Sequence, residues 1–221
     1  MSSSEALTRI APDDKGRLIV VSAPAGTGKT TLVRMLVDEF PNVQESVSVT
    51  TRAARPNEKE GLDYHFVSQE EFERQIDQDQ FLESVQFLGH YYGTSAVAIE
   101  QQQRTNHVVL TIDTQGALKL KDKVTATYVF IRPPSEKELR RRLVERKTES
   151  DDVIERRLAW SKKELALAIH YDYIIVNDNL NTAYEILRSI LIAEAHHNIG
   201  GSGSESVEKE YSNKNKELPD G

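Results

Sequence analysis

One stretch limits what this chain can become more than any other: LIVVSAPAGTGKTTLV, residues 18–33. A short β-branched apolar run reads as a buried parallel strand. Glycines follow, and Lys-Thr then opens a segment with Leu32, Met35, Leu36 and Phe40 at helical spacing, closed by Pro41. Strand, glycine-rich turn and helix in that order separate a working G-x-x-x-x-G-K-[ST] phosphate loop from a chance match. Gly26 and Gly28 let backbone N–H groups turn toward phosphate oxygens at the positive end of a helix. Lys29 then reaches β- and γ-phosphates, and the Thr30 hydroxyl is placed for Mg²⁺. The first glycine of the pattern is replaced by Ala23, whose single methyl is tolerable if its φ is negative. The plainer reading is a glycine-rich turn without ligand. With strand, inner glycines, lysine and threonine all in place, the loop reads as a nucleoside triphosphate site that leaves the acceptor unnamed.

The rest of the chain supplies an α/β rhythm with one interruption. Residues 42–93 hold short strand-like pieces (ESVSVTT, DYHFV, FLESVQFL) and a helix opened by SQEE, where Ser68 and Glu71 form a capping box. They read as a small lobe inserted into the main fold. A helix is expected from about Thr94, then the strand HVVLTID and a helix over TQGALKLKD. The strand TYVFI, a helix capped by Ser135 with Glu138, another from about Asp151, the strand YDYIIV and a last helix to about His197 follow. The fold class is α/β, a parallel sheet covered by helices on both faces. Residues 1–16 read as an N-terminal tail. Residues 198–221 begin with GGSGS, have no apolar period, and read as a disordered tail that resembles an engineered linker as much as a native one. No internal repeat is evident.

Composition removes several function classes. A chain of 221 residues without cysteine excludes disulfide and thiolate chemistry and suits a reducing cytoplasm. No apolar run is long enough to span a bilayer, and the start of the chain has no signal-peptide core. A net charge of −7 argues against a general nucleic-acid binder. Phosphate binding must therefore use local basic clusters, and ELRRRLVERK and ERRLAWSKK are two, although each also reads as a solvated helix face. The six histidines show no metal-binding spacing, His196 and His197 read as a helix-end feature, and Trp160 reads as helix packing.

The inserted segment carries the second clue. SVSVTTRAARPNEKEGLDYHF brings Arg52, Arg55 and Tyr64 close in sequence, and FLESVQFLGHYYGT adds Glu83, Tyr92 and Thr94. Two guanidinium forks with two phenol hydroxyls could hold a second phosphate. A carboxylate such as Glu83 can accept two parallel hydrogen bonds from a base edge that presents N–H and NH₂, as guanine does and adenine does not. Each of these residues alone is ordinary surface.

Together with IDTQG, RPPSEKELRRRLVERKTES and IIVNDNL, these stretches closely resemble guanylate kinase from about Arg17 to His197. The resemblance implies a P-loop nucleoside monophosphate kinase that moves the γ-phosphoryl of ATP to GMP (or dGMP) with Mg²⁺. It implies a core of residues 17–41 and 94–197, a GMP lobe at 42–93 and a helical lid at about 140–158. ATP would meet Ala23, Pro24, Ala25, Gly26, Thr27, Gly28, Lys29, Thr30 and Thr31 of the loop, with Asn177 on the adenine side. Arg52, Arg55, Tyr64 and Tyr92 would hold the GMP phosphate. Ser48, Glu83 and Thr94 would read guanine with Asp113 nearby. Arg142, Arg146 and Arg157 would act with Lys29 in catalysis, closing over the ATP phosphates.

The departures from the family pattern are Ala23, Ala25 in place of a serine, Thr111 where many members carry an aspartate near Mg²⁺, and Lys147 in place of a glycine. A kinase-like scaffold module that holds phosphopeptides is the alternative from another class; such modules typically lack the loop and lid residues present here. A kinase for a different nucleoside monophosphate is a third reading, opposed by Glu83 with Ser48 and Thr94. A homodimer is left open.

Overall fold

Alternate residues of the strand Leu18–Ser22 (β1) enter two different cores, which fixes the layered plan. Ile19 and Val21 join one apolar cluster and Leu18 and Val20 the other. The computed structural model describes residues 15–87, 89–145 and 150–197; Arg146, Lys147 and most of both expected tails lie outside these ranges.

After β1 the chain forms the helix Lys29–Glu39 (α1), then Val43–Glu45 (β2), Val49–Thr50 (β3), His65–Phe66 (β4) and the helix Gln69–Asp77 (α2). Phe81–Phe87 (β5), His90–Ser95 (β6), the helix Ala96–Gln103 (α3), His107–Thr111 (β7) and the helix Thr114–Lys121 (α4) come next. Thr127–Arg132 (β8), the helices Glu136–Glu145 (α5) and Asp151–Ala166 (α6), Tyr173–Val176 (β9) and the helix Leu180–Ala195 (α7) complete the order. Five parallel strands make the main sheet, in the order β2-β7-β1-β8-β9. On one face Leu32 and Leu36 of α1 and Leu187 and Leu191 of α7 pack against Ile19, Val109 and Ile131. On the other, Ile99 of α3 and Ala117 and Leu120 of α4 cover Val20, Leu110 and Phe130. With β1 central, the crevice at the carboxyl ends of these strands is where such a sheet takes its ligand.

The segment after β2 builds a separate mixed sheet, β4-β3-β6-β5, with β5 and β6 an antiparallel hairpin. Its small core is aromatic: Phe72 of α2 stacks on Phe81 and Tyr91 at ring separations of 4.5 and 5.3 Å. Trp160 of α6 reaches across to Phe87 at the end of β5, with ring centroids 5.4 Å apart. It therefore joins a helix of the main fold to the second sheet.

Two local expectations change. The helix expected from Thr94 starts at Ala96: Thr94 remains in β6, paired with Glu83, and Ser95 caps α3 by accepting from the Ala98 N–H. The expected capping box at Ser68 is half made. Ser68 Oγ accepts from the Glu71 N–H at 3.1 Å, but the Glu71 carboxylate turns to Arg74 and Gln75 instead of back to Ser68. A guanidinium one turn along the helix competes better for the carboxylate than a solvated N–H. No helix among the described residues is long and apolar enough to cross a membrane.

Candidate active site

The loop between β1 and α1 takes its shape from two glycines in the left-handed region, Gly26 at φ 92° and Gly28 at φ 91°. A side chain at Gly28 would also collide with Asn177, whose Nδ2 would lie 2.6 Å from the added Cβ. Ala23 is not among the positive-φ residues, so its methyl costs nothing in backbone strain; it is 8% exposed and belongs to the main core. Thr27 is buried and donates through Oγ1 to the Pro24 carbonyl at 2.8 Å, closing the loop on itself. Asn177, at the end of β9, is buried and donates through Nδ2 to the Thr27 carbonyl at 2.7 Å. Its carboxamide nitrogen is thus committed to bracing the loop. Ala25, Thr30 and Thr31 are exposed.

Lys29 opens α1 at the centre of a charged cluster. Burial of its ammonium pushes its pKa down, and Glu45, Asp113 and Glu164 oppose that shift by favouring the charged form. Glu164, on α6, is 6% exposed, and burial lifts its carboxyl to about 7, with Asp113 adding to the rise and Lys29 and Arg157 pulling it down. Arg157 stands seven residues before Glu164, on the same face of α6. Arg142 of α5 donates from Nε to Glu138 at 2.7 Å and, with Gly26, Gly28, Thr31 and Asn177, lines a cleft of about 400 Å³. The donor atoms in this region are oxygens: the Thr30 hydroxyl and the carboxylates of Glu45, Asp113 and Glu164. Among the described residues no three His, Cys, Asp or Glu side chains form a metal cage. An incomplete, hard donor set fits Mg²⁺, which keeps waters and takes substrate phosphates as ligands.

The second sheet presents a different kind of cluster. Arg52 donates to Glu58 at 2.8 Å and to the Ala53 carbonyl at 2.7 Å, and its guanidinium lies 5.3 Å from the centre of the Tyr64 ring. Glu58 also takes the Arg55 backbone N–H at 2.9 Å, while the Arg55 side chain stays largely exposed. Tyr64 and Tyr92 meet edge to face at 6.0 Å, and Arg52 also bonds Tyr92. Two arginines and two phenols therefore gather around one carboxylate. Glu83 is 5% exposed and accepts from Thr94 Oγ1 at 2.7 Å. Burial raises its pKa to about 7, and Asp113 adds to the rise. Ser48 is half-buried at the entry to β3 and accepts the His65 N–H through its carbonyl.

Asp113 ties the two clusters together. Its charge acts on Lys29 and on Glu83 alike, and its Oδ1 caps α4 by accepting the Gly116 N–H at 2.8 Å. At Gly116 an added Cβ would sit 2.7 Å from Glu83 Oε2, so only glycine lets α4 approach the second sheet this closely. Three acidic residues were invisible as site candidates in the sequence. Glu45, Glu58 and Glu164 carry no local signature, and only the crossovers of the sheet and the turn after Arg55 bring them to the cations.

A parallel sheet with a glycine loop at its centre, an added sheet carrying arginines, and arginine-bearing helices beside the loop define a P-loop kinase fold. The family model described as guanylate kinase matches residues 15–194. The guanylate kinase of Protochlamydia amoebophila is 56% identical over 185 residues, covering 83% of this chain and 94% of that one. The guanylate kinase of Chlamydia abortus is 50% identical over 185 residues, covering 83% and 91%. The crystal structure of guanylate kinase from Anaplasma phagocytophilum, at 31% identity, matches with a TM-score of 0.71 over 93% of this chain and 97% of that one. The chain belongs to the guanylate kinase family. These relatives favour an enzyme over the scaffold module.

Proposed function

We propose that the protein transfers the γ-phosphoryl group of ATP to GMP, and less well to dGMP, giving ADP and GDP. The observation that carries this reading is the pair of clusters joined at Asp113: a phosphate loop with Lys29 on one side, two arginines, two tyrosines and a buried Glu83 on the other. In this reading the backbone from Ala23 to Thr31 wraps the ATP phosphates and Asn177 lies toward the adenine. Arg52, Arg55, Tyr64 and Tyr92 receive the GMP phosphate in exchange for Glu58. Ionised Glu83, with Ser48, Thr94 and Asp113, takes the guanine edge.

The acceptor is already an anion, so no general base is needed. The work lies in bringing two anions in line and neutralising the moving group. Lys29, Arg142, Arg146 and Arg157 supply fixed positive charge for that purpose, and guanidinium groups stay charged throughout. Mg²⁺, held through Thr30, supplies further charge neutralisation on the ATP phosphates when bound. The lid expected at about 140–158, to which the end of α5 and the start of α6 belong, keeps water from competing as acceptor. A cytoplasmic setting, with neither membrane nor nucleic acid as partner, belongs to the same reading; a homodimer is compatible with it.

ADP release with Mg·ATP, measured across GMP, AMP, CMP and UMP, tests the reading. GMP is expected to be turned over at least about 100-fold more efficiently than the others, because a base that leaves buried polar groups unpaired loses about 1–3 kcal/mol per group. Preferential turnover of another monophosphate, or phosphopeptide binding without ATP-dependent turnover, contradicts it.

A further inference from the structure

A divalent ion at a phosphate loop is usually served by the loop hydroxyl and by a carboxylate on a neighbouring strand. Here the neighbouring strand β7 ends in Thr111, which has no charge to offer. A carboxylate arrives from one strand further out. Glu45 is the last residue of β2, which pairs with β7 so that Glu45 stands opposite Val109. Val43 and Val109 enter the core beneath α1. The two-residue period of a strand puts Glu45 and Thr111 on that same face, at the carboxyl ends of their strands and beside the start of α1.

There Thr111 Oγ1 donates to Glu45 Oε1 at 2.8 Å, a bond that spans the two strands and fixes the carboxylate toward the middle of the sheet. Among the described residues, no hydrogen bond to the other oxygen of Glu45 is found. Of the three carboxylates acting on Lys29, Glu45 acts most strongly. Its charge therefore reaches the lysine of the loop, although Glu45 itself is only half-buried.

We propose that Glu45, held by Thr111, is the carboxylate that serves the Mg²⁺ ion of the ATP complex in place of the aspartate missing from position 111. The assignment rests on the phosphoryl-transfer reading above. A hydroxyl and a carboxylate from two strands together do the work of one acid on one strand. The hydroxyl positions the carboxylate, in the manner of the outer-shell partners that tune metal sites.

Mn²⁺ is a suitable probe, because its paramagnetic resonance signal distinguishes free from bound ion in the presence of protein and ADP, independent of turnover. Glu45→Gln is expected to weaken Mn²⁺ binding to the protein–ADP complex by about tenfold or more. The Mg²⁺ concentration at half-maximal turnover should rise by a similar factor, with the KM for GMP changed by less than about twofold. Thr111→Val should move both metal readouts in the same direction by a smaller factor, and Thr111→Asp added to Glu45→Gln should restore Mn²⁺ affinity. Unchanged Mn²⁺ affinity in a Glu45→Gln protein that still binds GMP overturns the assignment. If Glu45→Gln does not fold, unchanged affinity in Thr111→Val overturns it instead. Wild-type protein without GMP-dependent ADP release would overturn the phosphoryl-transfer reading, and that result is separate from either metal outcome.

Discussion

The phosphate loop and the second sheet prepare for anions by opposite means. The loop is mainly backbone, with two left-handed glycines, a helix start and internal bonds from Thr27 and Asn177 that hold it shut. The second sheet relies on side chains, and its arginines are already paired with a protein carboxylate, Glu58. A backbone cradle offers dipoles that do not titrate. A side-chain cluster must exchange partners, and its buried Glu83 changes charge near neutral pH. The first site is set by the fold and the second by protonation and pairing. Substitutions and pH should therefore act on the two halves separately.

The largest expected separation comes from Lys29→Ala. Loss of this cation should lower kcat by about 10³-fold, comparable to removing a preorganised transition-state donor; steady-state ADP release measures it. Gly116→Ala should strike the other half. The new methyl would press on Glu83 Oε2 across a 2.7 Å gap, so GMP affinity should fall by about tenfold while ATP affinity holds. Titration of each nucleotide by calorimetry shows whether the effect stays on one side.

A smaller separation is expected from pH. Glu83 must be ionised to accept two bonds from guanine, and its carboxyl sits at about 7 in the free protein. GMP affinity should accordingly rise about tenfold between pH 6 and pH 8. Glu83→Gln should remove most of that slope, and a slope that persists would reassign it to the nucleotide phosphate. The smallest effect concerns stability. Glu164 has a folded pKa of about 7, above its ordinary value, so its contribution to stability is full below about 4.5 and is lost as pH rises through 7. Glu164→Gln should therefore stabilise the protein at pH 8 by about 1 kcal/mol, or about 2–4 °C in melting temperature. At pH 5 the gain should vanish.

The same contrast explains what could be read from the sequence. The loop was legible because its residues are contiguous and each glycine has a local conformational reason. Ala23 departs from the pattern and proves to be a core residue outside the positive-φ region, as its tolerance required. The arginines, tyrosines and Glu83 of the second sheet were legible only in combination, through resemblance. The helix expected from about Thr94 starts at Ala96, because Thr94 belongs to the strand pair, opposite Glu83. Glu45, Glu58 and Glu164 went unnoticed among 35 acidic residues. A lone carboxylate has no local pattern, and its partners come from far along the chain: Thr111 lies 66 residues from Glu45.

The two halves are tested most directly by calorimetric titration of GMP into the Lys29→Ala protein. If the acceptor cluster is a binding unit in its own right, GMP should bind within about threefold of the wild-type affinity while turnover is lost. Loss of GMP binding in a protein that remains folded would contradict that independence and make Lys29 part of the acceptor site.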